Sequence, residues 1–244
     1  MKAEHFPSWA VLGLALLFTA HALIAVENYD VTLTEKTLLG AEKKFGPSAP
    51  LRLLAWTKLI ADSKRKPVAE KLELTNDFFN RLPVKSSRKF GGKLNYWPTP
   101  AEMLARNESS HAGLAVGKYF TLLALGVSID QLQITYVNAS TLPAEEQPHM
   151  VLTFYSKPDA MPLVLDNLDR KIKPANERND LIPIYSFNGD GLWLAKERSS
   201  GRSEASGHID LWNEMNARMG KEFLSPEEEE ASKAARLNLL RKEP

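Results

Sequence analysis

Residues 114–136 read LAVGKYFTLLALGVSIDQLQITY, and a change of rhythm inside this stretch decides the fold. From Leu114 to Leu125 the apolar residues recur with a helical period, and Gly126 follows as a residue suited to closing a helix. Beyond it Leu132, Ile134 and Tyr136 alternate with Gln133 and Thr135, the period of two expected of a half-buried strand. Further strands are predicted over 149–155, 163–166 and 182–187. Asn188-Gly189-Asp190-Gly191 is a hairpin turn signal leading into Leu192-Trp193-Leu194.

On the N-terminal side of that boundary the pattern is helical over 31–82. Leu51, Leu54, Ala55 and Leu59 lie on one 3.6-period face, widened by Leu53, Trp56 and Ile60, which predicts a well-buried helix. Lys64-Arg65-Lys66-Pro67 ends it, because proline disfavours helix in the residue before it. Leu72, Thr75, Phe78 and Phe79 give the next helix an apolar face, and the basic, glycine-containing residues 85–93 read as a loop. Thr99-Pro100-Ala101-Glu102 then supplies an N-cap, a first-turn proline and a capping-box glutamate for a short helix burying Met103 and Leu104. Helices first and an antiparallel sheet after is an α+β order.

The ends of the chain carry other signals. Lys2 precedes an apolar run over 9–26, and Ala20-His21-Ala22 is a small-x-small site, so residues 1–26 read as a secretory signal peptide, with an uncleaved anchor as the alternative. The folded domain is then expected over 31–219 and a charged tail over 220–244. In the domain's last part, residues 199–207 read as a flexible polar loop containing the neighbourhood of His208, followed by a helix around 209–219 with Leu211, Trp212 and Met215 packing back. The tail opens Ser225-Pro226-Glu227-Glu228, a helix start with a thin apolar face at Leu237 and Leu240.

Composition narrows the function classes. A net charge of +1 excludes the strong basic excess of a nucleic-acid binder. Residues 41–95 do hold 13 Lys+Arg against 5 Asp+Glu, either a set of solvated helix faces or a docking surface for an acidic partner. There is no cysteine, so no disulfide scaffold and no thiol chemistry are available.

Three side chains still suggest a reactive constellation. A helix N-terminus after Ser109-Ser110-His111, a strand with His149 and a second strand ending in Asp166 can converge on one point. In such an arrangement the helix end stabilises negative charge, the imidazole is a base and the carboxylate fixes its tautomer. The plainer alternatives are a strand-end His149 bonded to backbone and an Asp166-Asn167 turn. His5 and His21 belong to the export segment, while Trp97 and Trp193 are more often core than contact residues.

Several segments occur in a telling order: Asn76-Asp77-Phe78-Phe79-Asn80-Arg81, Tyr96-Trp97-Pro98-Thr99-Pro100, Gly117-Lys118-Tyr119-Phe120, His149-Met150-Val151-Leu152, Leu163-Val164-Leu165-Asp166-Asn167-Leu168 and Tyr185-Ser186-Phe187-Asn188-Gly189. From about 41 to 219 the chain resembles the bacterial transglutaminase-like cysteine proteinases, specifically the periplasmic LapG-type branch that releases surface adhesins. The resemblance implies a papain/transglutaminase-like core and a periplasmic location. It also implies His149 as base, Asp166 as orienting acid and a nucleophilic cysteine in a Gly-Asp-Cys-Glu-Asp run. That run falls on Ser109-Ser110-His111-Ala112-Gly113, so His111 stands at the cysteine position and Ser110 and Ala112 replace the flanking acids. Those acids help bind calcium in the family, and their loss implies that no cofactor is needed and the calcium site is gone.

Three functions are compatible with a site so altered. One is a pseudoprotease that binds without cutting. Its expected partners are the family's, the N-terminal region of a surface adhesin or the periplasmic domain of an inner-membrane cyclic-di-GMP receptor in biofilm control. A second is a hydrolase using Ser109 or Ser110 with His149 and Asp166. A third is a metal site, zinc or non-haem iron, on His111, His149 and Asp166.

Overall fold

The computed structural model describes residues 31, 33–85, 89–90, 93–94, 96–144, 147–189, 192–194 and 201–223. The expected export segment over 1–26 and the tail beyond residue 223 lie outside the described residues. Among the described residues three helices come first: α1 (Glu35–Phe45), α2 (Ser48–Ser63) and α3 (Val68–Phe79). Thr34 caps α1 by accepting from Thr37 N at 3.1 Å.

The buried face of α2 differs from the expected one. Leu51 and Leu54 are 65% and 46% exposed, and Ala55 is exposed with them. Ala49, Leu53 and Trp56 turn inward instead. Leucine and isoleucine surround this helix, so periodicity alone does not select a face; its neighbours α1 and α4 do. Trp56 adds a reason of its own, since its indole Nε1 donates to Thr121 Oγ1 at 2.8 Å and that partner lies inside.

Residues 85–93, expected as a loop, include two short antiparallel strands, β1 (Lys89–Phe90) and β2 (Lys93–Leu94). Then α4 (Pro100–Arg106) forms with the expected capping box: Thr99 Oγ1 accepts from Glu102 N, and Glu102 Oε2 accepts from Thr99 N, both at 3.1 Å. Met103 and Leu104 are buried, as the pattern predicts. Next comes α5 (His111–Ala124), whose N-cap Ser110 accepts from Gly113 N at 3.1 Å. Gly126 follows it at φ +80°, the left-handed conformation glycine adopts without a Cβ penalty.

Six strands make the sheet: β3 (Leu132–Ala139), β4 (Pro148–Phe154), β5 (Leu163–Leu165), β6 (Lys173–Pro174), β7 (Leu181–Phe187) and β8 (Leu192–Leu194). Their order is β6-β5-β4-β3-β7-β8, with every neighbouring pair antiparallel. This is the α+β architecture the order of periodicities predicts. Helix α5 packs across β4 and β3, burying Val116, Phe120 and Leu123 with Ile134, Met150 and Leu152. A second cluster of Val137, Val151, Val164 and Leu181 also forms in the sheet. Beside it Thr135 Oγ1 lies 3.0 Å from both Thr153 Oγ1 and Ser186 Oγ.

The last helix among the described residues, α6 (Gly201–Arg218), begins within the stretch expected to be a polar loop, and it carries His208. Its anchor is C-terminal to that stretch: Trp212 stacks on Phe120 with centroids 5.3 Å apart, and Trp212 and Met215 are fully buried. A helix so anchored extends back through small residues that do not oppose it. After α6 the chain returns to α1. A Cβ on Gly40 would meet Phe223 O at 2.7 Å and Phe223 Cβ at 2.8 Å, so a glycine is needed for this approach. Val31, Leu33 and Phe223 all pack against one apolar cluster that includes Ala41, Leu53 and Trp56. Among the described residues no helix is long and apolar enough to cross a membrane.

Candidate functional site

The β4–β5 hairpin explains how residues 149 and 166 meet. Leu152 pairs with Leu165 in its register, and continuing that register sets Asp166 opposite Val151, diagonal to His149. His149 Nε2 donates to Asp166 Oδ1 at 2.7 Å, and both side chains are fully buried. This replaces the alternative of a backbone-bonded histidine. The other ring nitrogen, Nδ1, is buried and has no hydrogen-bond partner among the described residues.

His111 is the first residue of α5, and its ring meets that of His149 edge to face, with centroids 4.6 Å apart and planes at 75°. Asn167 Oδ1 lies 3.1 Å from His111 Nδ1. Asp166 and Asn167 therefore hold one imidazole each, a closer role than the turn that this dipeptide also suggests. All three sequence-predicted residues, His111, His149 and Asp166, come together.

Both oxygens of Asp166 are occupied. Oδ1 also accepts from Asn167 N at 2.6 Å, and Oδ2 accepts from Arg178 Nη2 at 2.7 Å. Arg178 further bonds Asp180 through Nε at 2.9 Å and Nη2 at 2.8 Å. Burial alone would raise the Asp166 carboxyl, but His149 and Arg178 hold it well below the usual carboxylate range. Burial opposes the charge of Arg178 as well, and its bonds to Asp180 and Asp166 more than compensate. Lys118, two turns along α5 from His111, is buried; loss of hydration pulls its ammonium down to about 7, with the charge of Asp166 opposing the shift.

A scaffold from α3 fixes this loop. Asn80 Nδ2 donates to Asp166 O at 2.7 Å, and Asn76 Nδ2, one turn earlier, donates to Arg170 O at 2.8 Å. Arg170 Nη2 returns a bond to Asn80 O at 3.2 Å. Tyr119 takes Gly189 N on its hydroxyl at 3.1 Å, tying α5 to the turn after β7. Arg178, Asn80 and Lys118 escape the sequence reading. Asn80 and Lys118 do lie in segments that carry the resemblance, and Lys118 also stands out as the lone charge inside an apolar helical run.

Two of the expected functions meet obstacles here. Ser109 Oγ lies 2.8 Å from Met103 Sδ and 2.9 Å from Ser110 O, while Ser110 Oγ caps α5, so neither hydroxyl is hydrogen-bonded to His149. The metal set of His111, His149 and Asp166 is not formed either, because the carboxylate is saturated by His149, Asn167 and Arg178. Among the described residues no group of three or more His, Asp or Glu is arranged to hold a metal ion.

Known structures share this arrangement of elements. Legionella pneumophila LapG is 38% identical to this chain, with a TM-score of 0.61; the match covers 75% of this chain and 98% of that one. The chain belongs to the LapG-type transglutaminase-like cysteine proteinase family. A calcium-bound structure of Legionella LapG matches at 38% identity and a TM-score of 0.63, covering 77% of this chain and 99% of that one. Its EGTA-treated form matches at 40% and 0.62, covering 75% and 98%. No family model and no curated protein matches the chain.

This LapG-type chain has no cysteine, so the family's thiol nucleophile cannot operate in it. Nor do the residues around His111 suit calcium, which takes six to eight oxygen ligands. Ala112 offers no side-chain oxygen, and the Ser110 hydroxyl is engaged in capping α5. The result is a LapG-like fold with a buried imidazole–carboxylate pair and no thiol.

Proposed function

We propose that this protein acts by binding, as a non-cleaving member of its family, in regulating adhesin release under cyclic-di-GMP control. In this reading His149 and Asp166 stand at the family's base and orienting-acid positions, and His111 at the position of the nucleophile. The observation that supports it most directly is His111 itself: an imidazole at the first position of α5, 4.6 Å from the His149 ring, where thiol chemistry would need sulfur. Asn76, Asn80 and Arg178 each tie into the scaffold around that pair, so a binding surface of the family type can persist without its chemistry.

The partners this reading calls for are the N-terminal region of a surface adhesin and the periplasmic domain of an inner-membrane cyclic-di-GMP receptor. Residues 1–26 would direct export, residues 31–219 would form the binding domain and residues 220–244 a charged tail. A binding-only protein competes with an active relative for either partner. The test is a pull-down of the protein against both, alongside a cysteine-bearing relative. Capture of at least one without cleavage is expected; failure to capture either, where the relative captures both, removes the proposal.

A further inference from the structure

We propose that His111 is a stopper: its ring closes the pocket over His149 and excludes a substrate from the His149–Asp166 pair. The four residues involved lie at two depths. His149 and Asp166 are the inner two, with side chains 0% exposed. His111 and Asn167 are the outer two, each half-buried. Each pair is bonded within itself, His149 Nε2 to Asp166 Oδ1 at 2.7 Å and His111 Nδ1 to Asn167 Oδ1 at 3.1 Å. The pairs meet where the His111 ring rests edge to face on that of His149. With centroids 4.6 Å apart the rings are in van der Waals contact, and no third group fits between them.

The backbone that carries His111 is held on both sides. Ser109, fully buried, donates from its N to Pro83 O at 2.9 Å, and its own O accepts from Lys85 N at 2.8 Å. Ser110 caps the helix by accepting from Gly113 N at 3.1 Å. A Cβ on Gly113 would meet Ser109 Oγ at 2.9 Å and Pro98 Cγ at 3.2 Å, so the first turn of α5 is packed closely against its surroundings. Opening the pocket is therefore left to rotation of the His111 side chain away from Asn167.

His149 Nδ1, the nitrogen that a reacting group would have to reach, is also buried, with no partner among the described residues. An imidazole base must come within about 2.6–3.2 Å of the group whose proton it takes. A peptide approaching His149 meets the His111 ring first. An imidazole at this position thus does two things: it supplies no thiol, and it shuts the site. A partner is then recognised by surface outside the pocket and not by a group inserted into it. Closure is a property of the chain alone and does not depend on which partner the chain captures.

The test is the rate at which diethyl pyrocarbonate labels His149 in the full chain, read by mass spectrometry of the digested protein against free N-acetylhistidine. In the native chain His149 should resist labelling. His111→Phe keeps a ring over His149 and should leave it protected, whereas His111→Ala should speed labelling by at least about tenfold. Asn167→Ala removes the oxygen that steadies the His111 ring. It should speed labelling about fivefold, the effect of one ordinary hydrogen bond on the opening equilibrium. Thermal unfolding identifies a variant that labels only because it no longer folds, and if His111→Ala is such a variant, Asn167→Ala decides. Three results overturn the proposal: His149 that labels freely in the native chain, His149 that stays protected in the folded His111→Ala or Asn167→Ala chain, or a folded His111→Phe chain as reactive as His111→Ala.

Discussion

Lys118 shows what a single buried charge does to a small core. Its folded-state value of about 7 lies below the ordinary lysine value of 10.5, the direction that burial imposes on an ammonium. Below about pH 7 the lysine is charged whether folded or unfolded, and the full cost of burying that charge opposes folding. Between 7 and 10.5 the unfolded chain binds the proton and the folded chain does not, so stability rises with pH across that window. Lys118→Met should therefore stabilise the protein most near and below neutral pH and flatten its stability profile above it. Urea unfolding of both proteins at stepped pH measures the difference; an unchanged slope would assign the pH dependence to other groups.

At the scale of the element, α2 separates pattern from packing. Leu53→Ala removes a fully buried side chain and should cost about 2–5 kcal/mol. Leu54→Ala, one residue on, should change stability by no more than about 0.5 kcal/mol. Chemical denaturation of the two variants distinguishes the faces directly, and equal losses would contradict the observed orientation.

The same helix explains how far periodicity could reach. The strands were legible because Leu132, Ile134 and Tyr136 alternate cleanly, and α4 because Thr99 and Glu102 form a local capping box. The burial of α2 was not legible, because Leu51, Leu53, Leu54 and Leu59 surround the helix and distant elements choose among them. The start of α6 was missed for a related reason: Trp212, packed on Phe120, stabilises turns whose own residues carry little helical signal. In the site, His111, His149 and Asp166 stand out by chemical type, whereas Arg178 and Asn80 matter through partners that sequence distance conceals.

Across the whole molecule, a LapG-type scaffold surrounds a His111 neighbourhood that offers little to calcium. Adding calcium, or removing it with EGTA, should accordingly leave the melting temperature of this chain unchanged, in contrast to a relative whose stability depends on the ion. Thermal unfolding in either condition measures this, and a shift of several degrees with calcium would reveal oxygen ligands elsewhere. The fit of Phe223 against Gly40 has a practical consequence at this scale. Val31 and Phe223 pack against one cluster, so the segment leading into α1 and the segment leaving α6 are held side by side. A Gly40→Ala change would push against Phe223 and loosen the strap that the segment after α6 lays across α1.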